Sequence, residues 1–151
     1  LQQCADAVMR LRAEWLYKKS QFDKIMFKSV SGIALKFKPP YERGNFMKYM
    51  DGVFNTCNSW SLERDLTKKI FRDIQPGDVL IKGGFPGHVV IVVDMAISKT
   101  GEKVFMIAQS YMPAQDIHVL KGPVAGVWYP VKEGEIITPE WTFQSNQLKG
   151  W

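Results

Sequence analysis

Residues 75–96 hold two β-strand patterns joined by a short turn, and no other segment constrains the fold as strongly. The segment reads QPGDVLIKGGFPGHVVIVVDMA. Pro-Gly-Asp opens the first strand, a Gly- and Pro-rich turn follows, and His88 begins the second strand. A histidine at the start of a strand lies at the rim of a sheet, where a substrate has access to it. The segment therefore predicts a pair of antiparallel strands with a titratable side chain at one end.

Length and composition indicate one globular domain over residues 1–151. Hydrophobic residues make up 46% of the chain and aromatic residues 13%, which excludes a disordered protein. The longest apolar run, HVVIVVDMAI, contains Asp94 and is shorter than the ~20 residues that a membrane helix needs. The chain begins at Leu1 without a Met or a signal peptide. We therefore expect it to be the C-terminal part of a longer exported protein.

Positive charge is concentrated in the first half of the chain. Residues 1–72 carry 14 Lys and Arg against 7 Asp and Glu, whereas residues 73–151 carry 6 against 8. This asymmetry has two interpretations: a surface that attracts an anionic polymer, or a helical surface that is simply solvated. The basic residues are scattered along the chain, which favours the solvated surface. The sequence has no helix-turn-helix, RNA-binding or zinc-finger pattern, so nucleic acid is not an expected partner.

Two cysteines and two histidines limit the covalent and metal chemistry that is available. One disulfide between Cys4 and Cys57 would suit an exported protein, but no sequence pattern places the two thiols close together. These cysteines and the histidines His88 and His118 also lack CxxC or HxxxH spacing. We expect no metal site and no cofactor.

Three amphipathic helices are predicted in the first half. The first has its apolar positions at three- and four-residue steps, at Leu1, Cys4, Ala5, Val8, Leu11 and Trp15. The second follows Pro39-Pro40, with apolar positions at Phe46, Met47, Met50, Val53 and Phe54. The third is expected to be capped by Ser59 or Ser61 and buried through Trp60, Leu62, Leu66 and Ile70.

Strand patterns account for the rest of the chain. A Ser31-Gly32 turn predicts a hairpin before the second helix. After Gly77 we predict strands at about 78–82, 88–97, 103–111 and 116–120, with shorter ones near 127–130 and 135–138. A turn at 99–102 joins the two long strands. Helices followed by an antiparallel sheet make an α+β fold in which the helices cover one face of the sheet.

The groups needed for nucleophilic catalysis are a thiol at a helix start and a histidine at a strand start. Cys4 fits the first role, because unpaired N–H groups and the helix dipole favour a thiolate there. Cys4 is also compatible with core packing, since it lies on an apolar stripe. Cys57, in the loop NTCNS, is expected to be inert, and His118 to be a solvated or satisfied side chain. His88 is the expected general base.

A third residue is needed to orient the imidazole of His88. If the strands at 88–97 and 103–111 pair through the turn at 99–102, His88 lies opposite about residue 112. The register then decides which side chains share the face of His88. They are either Ser110, or Gln109 together with Tyr111.

The residues from Gly77 onward, together with the first helix and residues 61–66, resemble known families. GDVLIKGGFPGHVVIVVDMA and VFMIAQSYMPAQDIHVL are similar to the His-bearing half of NlpC-like and CHAP domains, papain-like amidases and endopeptidases that cut bacterial peptidoglycan. More closely, the chain resembles a family of bacterial cell-envelope proteins defined as a domain of unknown function. The segments LQQCADAVMRLRAEWLY, SLERDL, GGFPGH and AQSYMPAQDIH carry this second resemblance.

The resemblance to NlpC-like and CHAP domains implies a papain-like fold and a role for three residues. His88 matches the general base, Cys4 the helix-borne nucleophile, and Gln109 the polar residue that orients the ring. Two features depart from the pattern. CADA stands where DCSG or NCTW is typical, and the gap from Cys4 to His88 is longer than usual.

The expected function is that of a thiol hydrolase acting on amide bonds, with cell-wall peptides as substrate and the periplasm or cell envelope as location. One alternative is a non-catalytic module on the same fold that binds peptidoglycan or another cell-wall ligand. Another is a structural protein of the envelope. In the binding alternative the ligand contacts come from the 83–87 loop and from AQSYMPAQ with the Asp that follows it, namely Gly84, Pro86, Gly87, Ser110, Tyr111, Gln115 and Asp116, and Asp94 adds a further polar contact.

Overall fold

The computed structural model describes residues 2–123 and 126–151, and three α-helices fill most of its first half. They are α1 (Cys4–Lys18), α2 (Arg43–Thr56) and α3 (Ser59–Asp65). A hairpin of β1 (Met26–Lys28) and β2 (Ala34–Lys36) lies between α1 and α2, as the Ser31-Gly32 turn predicts. Short 3₁₀ turns occur at Phe22–Lys24, Phe71–Asp73 and Ser145–Gln147.

The remaining strands follow α3. They are β3 (Thr67–Lys68), β4 (Val79–Lys82), β5 (His88–Ile97), β6 (Lys103–Gln109), β7 (His118–Val119), β8 (Trp128–Pro130), β9 (Glu135–Ile137), β10 (Thr142–Gln144) and β11 (Leu148–Gly150). Antiparallel pairing gives the order β3-β11-β4-β5-β6-β7, with β8 pairing β6 beside β7. β9 and β10 form a separate hairpin. The predicted α+β class is confirmed.

The sheet has an apolar cluster on each face because successive strand residues point to opposite sides. One cluster joins Val89 and Ile91 of β5 to the buried side of α1. The other joins Val90 and Val92 to the C-terminal strands, including Phe143 of β10. The helices therefore cover one face, as predicted, while the C-terminal strands cover the other.

The register of β5 and β6 changes partway along the hairpin. Ile97 pairs with Lys103 and Asp94 with Met106, in the register that the turn at 99–102 predicts. A β-bulge between Val92 and Asp94 then takes up one residue, so that Val92 pairs with Ile107.

Some predicted details of the helices are wrong. Trp15 is 50% exposed and stands outside the buried side of α1. Asn58, not Ser59 or Ser61, caps α3, because its side-chain oxygen accepts a hydrogen bond from the Ser61 N–H at 3.0 Å. Trp60 and Ile70 are exposed, whereas Leu62 and Leu66, the other two residues predicted to bury this helix, are buried. Leu1 lies outside the described residues.

Candidate active site

Cys4 is the first residue of α1. The helix start is fixed by Asp6, whose carboxylate accepts a hydrogen bond from the Gln3 N–H at 3.1 Å. The side chain of Cys4 is only partly buried. Burial raises the pKa of the Cys4 thiol, while hydrogen bonds from the backbone of Val89 and Ala5 oppose that rise. Because Val89 directly follows His88, this contact brings the thiol to the start of β5.

His88 begins β5 and is 1% exposed. Its Nε2 lies 2.6 Å from Oε1 of Gln109, and Nε2 of Gln109 donates to Oε2 of Glu140 at 2.8 Å. A carboxylate only accepts hydrogen bonds, so the amide NH₂ of Gln109 faces Glu140 and its oxygen faces the histidine. Nε2 of His88 is therefore the protonated nitrogen of the neutral ring, and Nδ1 is left as the acceptor.

Three aromatic side chains hold the ring of His88 in place. Tyr111 meets it edge-on with the centroids 4.8 Å apart, and Phe143 stacks on it at 5.8 Å with the planes 24° apart. Trp141 lies 5.7 Å away. Burial lowers the pKa of His88, and Gln109 and Glu140 partly offset this because both favour the charged ring. The ring is thus a preoriented, neutral base.

Cys4 and His88 line one cavity of about 300 Å³. Gly84, Pro86, Gly87 and Tyr111, four of the predicted binding residues, line the same cavity. Within the described residues, Sγ of Cys4 makes no hydrogen bond to the ring of His88, and Nδ1 of His88 makes none to any other group. The residues Cys4 and His88 thus line one cavity without a direct hydrogen bond between their side chains.

The other predicted site residues lie around this cavity. Gln109 stands behind His88 and shares its face of the sheet, which resolves the choice that the sequence leaves open. Ser110 is fully buried, and its hydroxyl has no hydrogen-bond partner in the described part of the chain. Gln115 and Asp116 line a neighbouring groove of about 780 Å³. Asp6 lines both the groove and the cavity.

Cys57 and His118 have surroundings unlike those of Cys4 and His88. Cys57 also lines the cavity, but its thiol donates to the carbonyl oxygen of Lys28 at 3.4 Å. Burial raises the pKa of the Cys57 thiol. His118 is exposed, and its Nδ1 lies 2.9 Å from the carbonyl oxygen of Asp116. His118 does not line the cavity.

The loop between β4 and β5 forms one wall of the cavity and is tightly folded. The N–H of Gly83 donates to Oε2 of Glu63 at 2.9 Å, which ties the loop to α3. At Gly87 a Cβ atom would lie 2.5 Å from the carbonyl oxygen of Gly84 and 2.8 Å from that of Lys82. Only glycine fits there without displacing backbone next to His88.

Replacing Gly87 with alanine is therefore expected to lower the free energy of unfolding by about 1–3 kcal/mol, the usual range for overpacking. The matched control is Gly52→Ala in α2, where a Cβ atom meets nothing within 4 Å. That change is expected to stabilise the protein by about 0.5–1 kcal/mol, because alanine favours a helix interior. Urea denaturation of both variants measures the two effects. Equal stabilities of the two variants would contradict the steric argument.

No role beside His88 was predicted for Glu140 or for Trp141, which was expected in a contact surface or the core, although both lie against the His88 group. They belong to a turn between β9 and β10 in which Thr138 Oγ1 donates to the carbonyl oxygen of Trp141 at 2.7 Å. The residues Thr-Pro-Glu-Trp at 138–141 are typical of a turn, and this pattern is the feature by which the sequence marks the segment. Nothing in that pattern indicates that the turn reaches Gln109.

Within residues 2–123 and 126–151, no group of three or more His, Cys, Asp or Glu side chains is arranged to hold a metal ion. Over the same residues, no helix combines the length and apolar character that crossing a membrane requires.

Fold and cavity together define an α+β protein with a helix-borne cysteine and a strand-borne histidine facing one cavity. The family described as a domain of unknown function (4846) matches residues 1–44 and 36–150, and the chain belongs to this family. No curated protein and no solved structure matches the chain.

Proposed function

We propose that this protein is a thiol hydrolase that cleaves amide bonds, with Cys4 as nucleophile and His88 as general base. One observation carries the proposal: the first residue of α1 and the first residue of β5 line the same cavity. The hydrogen-bonded group of Gln109 and Glu140 supports it, because this group leaves Nδ1 of His88 free to accept a proton. Gln109 and Glu140 act as positioning residues.

The Cys4 thiol and the His88 ring are both neutral near neutral pH. His88 therefore acts as a base and does not form a thiolate–imidazolium ion pair with Cys4 before the reaction. Burial raises the pKa of Cys4 and lowers that of His88. As Sγ attacks the carbonyl carbon, its proton moves to Nδ1 of His88. The resulting imidazolium is stabilised by Gln109 and by the charge of Glu140.

Backbone N–H groups at the start of α1 are available to the oxyanion of the tetrahedral intermediate. Those of Cys4 and Ala5 lie close enough to the thiol to affect its pKa, and helix-start N–H groups lack partners within the helix. When the intermediate collapses, the C–N bond breaks and His88 returns its proton to the leaving amine. Water then attacks the thioester with His88 as base, which releases a carboxylic acid and restores the thiol.

The proposed substrates are cell-wall peptides, and the proposed location is the periplasm or cell envelope of a bacterium. Support comes from the resemblance of GGFPGH and AQSYMPAQDIH to a cell-envelope family, and of residues 77–96 and 104–120 to papain-like enzymes that cut peptidoglycan. The cavity walls are largely apolar and aromatic, with Asp6 as a carboxylate on one side. Such walls suit a short peptide.

A second candidate is a non-catalytic module that binds a cell-wall ligand in the same cavity. Two observations favour it: Cys4 makes no hydrogen bond to His88, and burial raises the pKa of its thiol. In this candidate the 84–87 turn and Tyr111 contact the ligand without chemistry.

Acylation by p-nitrophenyl acetate tests the proposal. We expect one equivalent of p-nitrophenol to be released in a burst, with one acetyl group on Cys4 by peptide mass spectrometry. At pH 7 the burst should be about 10²–10⁴ times slower in His88→Ala, the usual contribution of a general base. The rate should hold as pH falls to His88's ordinary pKa of 6.5 and decline only below it, since burial lowers that pKa.

The control is His118→Ala, which changes a histidine outside the cavity and should acylate at the unaltered rate. Above the raised pKa of Cys4 the thiolate forms without a base, so the rates of His88→Ala and the unaltered protein should converge there. An unchanged burst in His88→Ala at pH 7 would overturn the role of His88. A protein that gives no burst but binds cell-wall peptides would instead be the binding module.

A further inference from the structure

A second cavity, of about 400 Å³, lies along α1 and shares no lining residue with the Cys4–His88 cavity. Met9, Arg12 and Leu16 of α1 line it, because residues three and four apart lie on one side of a helix. Other parts of the wall come from β1, α3 and Trp151. The volume is within the range of small-molecule sites.

Most of the wall is apolar. The apolar lining residues from the helices and β1 are Met9, Leu16, Met26, Phe27, Leu62 and Leu66. All of these except Met26 are buried. A ligand that fills this space must therefore present an apolar surface over most of its length.

Arg12 lines this cavity, and its N–H donors have no hydrogen-bond or ion-pair partner among the described residues. Its guanidinium lies 5.2 Å from the ring centroids of both Trp15 and Trp151. The Trp151 ring is itself fixed, since its Nε1 donates to the carbonyl oxygen of Gly77 at 2.9 Å. Arg12 is partly buried, and among the described residues it makes no hydrogen bond or ion pair. Burial lowers its pKa and no carboxylate opposes this, so its N–H donors remain available to an anion.

The charges around the cavity are predominantly positive. Arg12, Lys24 and Lys28 line it together with one carboxylate, that of Asp65. Asp65 already lies 3.7 Å from Lys28 and 3.2 Å from Arg64. It is therefore not available to neutralise Arg12.

We propose that this cavity binds a single-chain amphiphile, whose apolar tail occupies the cavity and whose carboxylate pairs with Arg12. The planar guanidinium matches a carboxylate in a two-point hydrogen bond, and the flanking indole rings hold it in place. Pairing with the ligand carboxylate also offsets the free-energy cost of holding the Arg12 cation partly buried without a counter-ion. This site is separate from the proposed hydrolase site and does not depend on it.

Isothermal titration calorimetry with three ten-carbon probes tests the proposal on the complete chain. Decanoate, used below its micelle-forming concentration, is expected to bind one molecule per protein. Decanol and decyltrimethylammonium share the tail but lack the carboxylate, and each should bind at least about tenfold more weakly. Equal affinities for decanoate and decanol would overturn the role of the carboxylate.

Variants of α1 locate the site. Arg12→Gln is expected to weaken decanoate binding at least about tenfold, with Arg12→Lys in between. Lys18→Gln makes the same change of charge at an exposed position of α1 outside the cavity, and should bind decanoate normally. Unchanged binding in a folded Arg12→Gln would overturn the proposal. If that variant fails to fold, the comparison of decanoate with decanol on the unaltered chain decides.

Anionic phosphatidylglycerol vesicles separate a free amphiphile from a membrane surface. We expect monomeric decanoate to bind without vesicles, and this binding to weaken at least about tenfold in Arg12→Gln. Binding to the vesicles with none to monomeric decanoate would overturn the proposal in favour of a lipid surface.

Discussion

Replacing Cys4 with alanine is expected to lower hydrolysis of amide substrates by at least about a thousandfold. In the proposed mechanism the change removes the sulfur that forms the acyl intermediate, and neither His88 nor the helix-start N–H groups replaces it. Cys4→Ser should be almost as inactive, because a hydroxyl is far less acidic than the thiol and His88 is a weak, buried base. Release of amine from cell-wall peptides measures the loss, and the p-nitrophenyl acetate burst provides a second readout.

The fold should survive these changes at Cys4. The position is only partly buried, and alanine is well tolerated in a helix. The matched control is Cys57→Ala, which should keep most of the turnover because its thiol points at the Lys28 carbonyl oxygen. If Cys4→Ala hydrolyses amides at the unaltered rate, Cys4 is not the nucleophile and the binding module becomes the better candidate.

Replacing Phe143 with alanine is expected to lower the free energy of unfolding by about 3–5 kcal/mol. Phe143 is fully buried in the cluster between the sheet and the C-terminal strands, and its ring stacks on His88. The alanine leaves a void that the surrounding strands only partly fill, and it frees one face of the imidazole. Urea denaturation at pH 7 measures the loss of stability.

The matched control is Phe85→Ala, which deletes the same ring at the tip of the loop between β4 and β5. Phe85 is 94% exposed, so stability should change by less than about 0.5 kcal/mol. Losses of similar size in the two variants would show that burial at Phe143 does not determine its contribution. The comparison also tests whether the C-terminal strands are integral to the domain that carries His88.

Patterns with a local physical cause were predictable from the sequence. Strand β5 was predicted from His88 to residue 97 because a continuous apolar run bounded by turn residues marks a buried strand. The three helices followed from three- and four-residue spacing. The cap of α3 was misassigned because Asn58 and the two serines are equally good caps in sequence, and only the geometry of the N–H groups selects one of them.

Contacts between distant segments were not predictable. Glu140 is 31 residues from Gln109, and it reaches that amide through a turn whose neighbouring strands have only three residues each. A strand was predicted near 135–138, where β9 lies, but the three residues of β10 give too little alternation to predict a strand, so the hairpin that carries Glu140 was not predicted. The exposed Trp15 and Trp60 were misjudged for another reason, since indole rings also stack on arginines at the surface. The positions of Cys4 at the start of α1 and of His88 at the start of β5 were predictable, because each residue begins an element with a strong local pattern.

The bulge in β5 selects the functional group that orients the histidine. In a hairpin without it, paired positions counted from the turn at 99–102 would set Ser110 on the face of His88. The extra residue shifts the pairing by one position, so that Gln109 instead of Ser110 lies on the face of His88. The carboxamide of Gln109 is long enough to contact both His88 and Glu140, which the short hydroxyl of Ser110 is not. The displaced Ser110 is the buried side chain whose hydroxyl has no partner in the described chain. The tautomer of the imidazole thus depends on a single extra backbone residue that lies outside the group around the ring.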